Sequence, residues 1–135
     1  MRITTRFSLA PVRRGSNAAA THSVLMEARQ PTGAILLGTH LTRQFDCDAG
    51  FVFVTDYRRP RAEVTIFTLV SREFNVISSR KFGDRWSSWL LSEVRWIDAQ
   101  HFRVRFHGNA TMLFRIRRWG LRGIAPRLAV LRRSL

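Results

Sequence analysis

The chain has 135 residues, 45% of them hydrophobic and 24% charged, enough apolar material for one domain to bury a core without disulfides or a metal. No apolar run approaches the roughly 18 residues that span a bilayer as a helix, and the single cysteine, Cys47, excludes an intramolecular disulfide and fits a reducing compartment. The net charge of +14 is unevenly distributed: residues 1–26 carry four arginines and no acid, residues 27–98 ten basic and nine acidic side chains, and residues 99–135 nine arginines and no acid.

Residues 1–30 read as a basic appendage. They contain Arg13-Arg14-Gly15-Ser16-Asn17 and Ala18 to Ala20, with no sustained apolar periodicity, which predicts a disordered or loosely docked arm. Arginine-rich, acid-free composition is that of a transit peptide, and no apolar stretch follows the arginines as a secretory signal would require. A start at Met26 is the preferred reading, because acid-containing sequence begins at Glu27.

From Ala34 onward the pattern predicts strands. Ile35 to Leu37 is a short apolar run that His40 to Phe45 continues. Asp48-Ala49-Gly50 is a turn signal, and the aromatic and β-branched run Phe51 to Thr55 reads as a buried strand. Tyr57 to Arg61 is a loop, since Pro60 cannot sit in a central strand. Glu63 to Val70 follows, with Val64, Ile66, Thr68 and Val70 on one face; Ser71 to Glu73 turns it and Phe74 to Arg80 returns.

Trp86, Trp89 and Leu90 have helical spacing behind Asp84, a candidate cap, so one helical turn or an ordered loop is expected there. Val94 to Ile97 is a strand, Asp98 to Gln100 a turn, and His101 to His107 a strand with clean alternation. A three-residue loop over His107 to Asn109 would pair Phe106 with Ala110, Val104 with Met112 and Phe102 with Phe114. That register puts all the apolar residues on one face and Arg103, Arg105, Arg115 and Arg117 on the other, whereas a two-residue turn would mix them. Beyond Arg118 the alternation ends. Pro126 could open a short helix with Leu128, Leu131 and Leu135 on one side, formed only if docked.

These elements predict a mainly β domain over about residues 31–118. The expected form is a single antiparallel meander of five to seven strands curling into a small sandwich or open barrel. The arm over residues 1–30 precedes it, and a basic C-terminal tail or short helix over residues 119–135 follows.

The sequence holds no catalytic, cofactor-binding or metal-binding constellation. Cys47 lies between Asp46 and Asp48, whose charges oppose thiolate formation, so a packing role is expected rather than a nucleophilic one. The two aspartates lack the acidic, glycine-containing pattern of a calcium loop. His101 and His107 lie at opposite ends of one strand, roughly 20 Å apart, too far to share a metal.

Two sets of residues point to binding. Arg103, Arg105, Arg115, Arg117, Arg118, Arg122, Arg127, Arg132 and Arg133 form an acid-free stretch suited to a polyanion. Codon composition in a GC-rich genome would explain 22 arginines against one lysine, Lys81, but not the missing acids after Asp98. Trp86 and Trp89, near Arg80, Lys81 and Arg85, are read first as core packing, with stacking on bases or anchoring of a protein partner as the alternative. The expectation is a small cytoplasmic bacterial binding or interaction module, non-enzymatic, with no membrane span and no cofactor. The alternatives are nucleic-acid or other polyanion binding through the C-terminal arginines, or a small enzyme or ligand-binding barrel.

Overall fold

The computed structural model describes residues 1–12, 20–59, 62–83, 89–108, 110–117 and 127–134. Among these there is no helix. Twelve strands form three antiparallel sheets: β1 (Arg2–Ile3), β2 (Phe7–Val12), β3 (His22–Glu27), β4 (Gln30–Leu37), β5 (His40–Cys47), β6 (Gly50–Arg59), β7 (Ala62–Val70), β8 (Val76–Phe82), β9 (Leu91–Trp96), β10 (His101–Phe106), β11 (Thr111–Ile116) and β12 (Leu128–Ser134). The mainly β antiparallel class is as the alternation implied. The strands exceed the expected five to seven, and they form three sheets rather than a small sandwich or open barrel curled from one meander.

The five-stranded sheet, ordered β1-β5-β6-β7-β8, is the middle layer. Its central strands are apolar on both faces because both faces are covered. Val52, Val54, Phe67 and Leu69 pack against the four-stranded sheet β12-β11-β10-β9, through Phe102, Val104, Phe106, Met112 and Phe114. Phe51, Phe53 and Val70 pack against the three-stranded sheet β2-β3-β4, through Phe7, Leu25, Ala34 and Leu36. This double coverage explains the unbroken run of buried residues from Phe51 to Thr55.

Residues 7–12 and 22–27 therefore differ from a loosely docked arm. Phe7 pairs with Glu27 and Leu9 with Leu25 across β2 and β3. The Phe7 ring meets Phe51 and Phe53 edge to face, with centroids 5.0 and 5.1 Å apart, while Leu25 is fully buried. Ser23 is buried as well, and its hydroxyl donates to the Gly38 carbonyl at 2.7 Å, so its burial leaves nothing unmatched.

The tight approach of the middle sheet to its own turn depends on Gly50. Its φ is +137°, and a Cβ there would run into the Val70 carbonyl oxygen, so only glycine fits.

The C-terminal segment is also a correction. Leu128–Ser134 is a strand along β11, not a tail or a helix: Leu128 pairs with Ile116, Val130 with Phe114 and Arg133 with Met112. Leu128 is fully buried whereas Leu131 is 46% exposed, which a shared helical face would not give. The Arg80 Nε donates to the Leu128 carbonyl at 3.1 Å and ties β8 to β12 along one side of the sandwich.

The helical turn expected near Trp89 is only partly testable, because Asp84 and Trp86 lie outside the described residues. Trp89 itself is held by the sheet. Its N–H donates to the Glu63 carbonyl at 3.1 Å, and its carbonyl accepts from the Thr65 hydroxyl at 2.7 Å.

Candidate polyanion-binding face

The β10–β11 hairpin has the register inferred from its alternation. Phe102 lies opposite Phe114 and Val104 opposite Met112, and the Phe106 N–H donates to the Ala110 carbonyl at 2.9 Å. The apolar residues face the core, where the Phe102 and Phe114 rings stack 4.8 Å apart. The opposite face then carries Arg103, Arg105 and Arg115, all exposed.

Strand β9 adds to this face. Val94 and Trp96 pack on the core, so Arg95 between them points outward, directly opposite Arg103. Sequence reasoning missed Arg95, although the alternation Val94-Arg95-Trp96 carried the signal once β9 was paired with β10. The registers oppose Arg103 to Leu113, Arg105 to Thr111 and Glu93, and Arg115 to His101 and Ala129. Only Arg95 and Arg103 meet head-on. Arg103 and Arg115 are diagonal neighbours, about 7–8 Å apart.

The three form a band across the strands. Its head-on pair costs of the order of 0.2–1 kcal/mol in repulsion. None of Arg95, Arg103, Arg105 and Arg115 makes an ion pair among the described residues. The three-stranded sheet containing β2 and β3 packs on the far side of the middle layer, so those strands do not cover the band.

The other expected site residues divide. Arg117 and Arg127 sit at the end of this sheet, joined by one backbone hydrogen bond and one from the Arg127 Nε to the Arg117 carbonyl, and line a cavity described below. Arg132 lies opposite Leu113 in the β11–β12 ladder. Arg133 lies opposite inward-facing Met112, and its guanidinium is 5.8 Å from the Phe82 ring centre, so it caps the core edge and is not part of the band. Arg118 and Arg122 lie outside the described residues.

Of the two readings for Trp89, the structure shows core packing: its partly buried ring packs on Phe106 at 5.1 Å and on Phe82 at 6.2 Å. Trp86 lies outside the described residues.

Cys47 is buried in the main core. Burial pushes its thiol pKa up; the Ala49 and Gly50 N–H groups pull the other way, and the Asp46 charge adds to the rise. Alkylation near neutral pH should therefore be slow in the folded protein and fast once denatured. Comparable rates in both states would show that the thiol is more accessible than its packing implies. Among the described residues, no group of three histidine, cysteine or acidic side chains is placed to hold a metal ion, and no helix is long and apolar enough to cross a membrane.

Comparison with family models, with curated proteins and with solved structures finds no match.

Proposed function

We propose that this protein is a non-enzymatic binding module that holds a nucleic acid by its phosphates on the outer face of the β9–β12 sheet. The observation that carries this reading is the band Arg95, Arg103 and Arg115, with Arg105 beside it: four exposed guanidinium groups on a solvent-facing sheet, without ion pairs among the described residues. Arginine presents planar, forked donors suited to phosphate oxygens. The described outward residues of β9, β10 and β11 include no phenylalanine, tyrosine or tryptophan, and the one imidazole, His101, is engaged by Asp98, which favours contact with the backbone over stacking on bases.

A ligand-binding barrel is less well supported. The space between the middle and four-stranded sheets is filled by Phe67, Phe82, Phe102, Phe106 and Phe114, whose rings pack on one another. No described residue set resembles a catalytic constellation.

The test is a binding series with mixed-sequence DNA and RNA over increasing salt, for the parent and for Arg95→Gln/Arg103→Gln/Arg115→Gln. The parent's log K should fall with log salt by roughly 0.7–0.9 per phosphate neutralised, and the triple substitution should flatten that slope by about two to three. Its melting temperature should stay within a few degrees, because the side chains replaced are exposed. No binding by the parent at low salt would sink the reading. Unchanged slope in the substituted chain would remove the band from it.

A further inference from the structure

We propose that the cavity at one end of the sandwich is a site for a terminal phosphate monoester, with Arg117 and Arg127 as its ligands. The proposal rests on the nucleic-acid reading above and extends it from internal phosphates to the end of a strand. The cavity has a volume of about 170 Å³ and is lined by Asp48, Ala49, Ala99, Gln100, Ile116, Arg117 and Arg127. It forms where the β5–β6 turn, the β9–β10 turn and the end of β11 converge.

Its walls are tied together. The Arg117 N–H donates to the Arg127 carbonyl at 2.6 Å, and the Arg127 Nε donates back to the Arg117 carbonyl at 3.0 Å. That fixes the Arg127 guanidinium by one edge and leaves its terminal amino groups as donors. The Ile116 N–H donates to the Gln100 carbonyl at 2.8 Å, fastening the β9–β10 turn to β11. The turn is itself set by Asp98, whose Oδ1 accepts from the Gln100 and His101 N–H groups at 2.8 and 2.9 Å. Those bonds, the Gln100 N–H foremost and then the His101 ring, hold the Asp98 carboxyl below the usual range. It stays ionised, and the turn stays braced, well into mildly acidic solution.

Size and charge select the ligand. The cavity is below the roughly 300 Å³ at which sites for drug-sized molecules begin, so it admits a phosphate group rather than a whole nucleotide. Among the described residues two arginines line the cavity against one aspartate, Asp48, whose carboxylate can accept from a hydroxyl on the sugar bearing the phosphate. Neither Arg117 nor Arg127 makes an ion pair with Asp48. Placement links the cavity to the band. Arg117 directly follows β11, two residues after Arg115 and about 7 Å from it along the chain. A strand whose internal phosphates follow Arg95, Arg103 and Arg115 would bring its end to Arg117 and Arg127.

The experiment compares one oligonucleotide sequence carrying a 5′-phosphate, a 3′-phosphate or hydroxyls at both ends, at fixed salt. One phosphorylated form should bind the parent about tenfold more tightly than the hydroxyl form. Arg117→Gln, which keeps the backbone clasp, should reduce that preference to near unity while the internal-phosphate salt slope falls by less than one. Inorganic phosphate, titrated in the absence of oligonucleotide, should shift the Gln100 and Ile116 amide resonances in the parent and not in Arg117→Gln. Oligonucleotide binding without end preference would overturn this site and leave the nucleic-acid reading standing. Phosphate-dependent amide shifts without oligonucleotide binding would uphold the site and overturn that reading. Neither response would overturn both.

Discussion

Deleting residues 1–25 is expected to unfold most of the chain, not to release a protease-resistant core. The deletion removes β2 and most of β3, and with them Phe7 and Leu25. It also uncovers Phe51, Phe53 and Val70, which the three-stranded sheet covers. Five large apolar side chains at about 1.5–3 kcal/mol each come to roughly 7–15 kcal/mol as an upper limit. Domains of this size are stable by about 5–15 kcal/mol in all. The check is a thermal melt with limited proteolysis on the full and truncated chains. If the truncated chain melts within a few degrees of the full one, Phe7 and Leu25 do not form the layer described.

Phe106→Ala should cost about 3–5 kcal/mol, or roughly 10–20 °C in melting temperature. The Phe106 ring is almost completely buried and touches Trp89, Phe82 and Phe67, which come from three different segments. Those neighbours belong to a rigid sheet stack and cannot all close on the space left behind, so the cavity penalty adds to the lost transfer energy. A denaturant melt reads the effect. A loss below about 1 kcal/mol would mean that the hairpin's faces are reversed. Arg105→Ala, one residue away on the exposed face, serves as the control and should change stability by less than about 0.5 kcal/mol.

What could be read from the chain alone, and what could not, follows from how far each buried face lies from the residues covering it. The β10–β11 hairpin was legible because its two halves are neighbours in sequence. Phe102, Val104, Phe106, Met112 and Phe114 can share a face in one register only, and a slip by one residue would bury Arg103 or Arg105. The exposed arginines on that hairpin followed directly from the same period of two. Central strand β6 was legible for a related reason: an unbroken apolar run implies cover on both faces, though it does not say which segments supply it.

The segments at either end were decided only by the tertiary structure. Strands β2 and β3 bury little more than Phe7, Ser23 and Leu25, too sparse a pattern to announce a strand. Their apolar complement is Phe51 and Phe53, far along the chain. Leu128 and Leu131 have a spacing compatible with helix, but a free edge on β11 offers the backbone a ladder of partners, and nine residues alone make a marginal helix. Trp89 near cations read as core in preference to surface, and the position of Phe82 and Phe106 is what places its ring against the core. Local alternation determined which side chains of a strand lie together. Which strand covers them is a contact between distant segments, and no pattern within either segment encodes it.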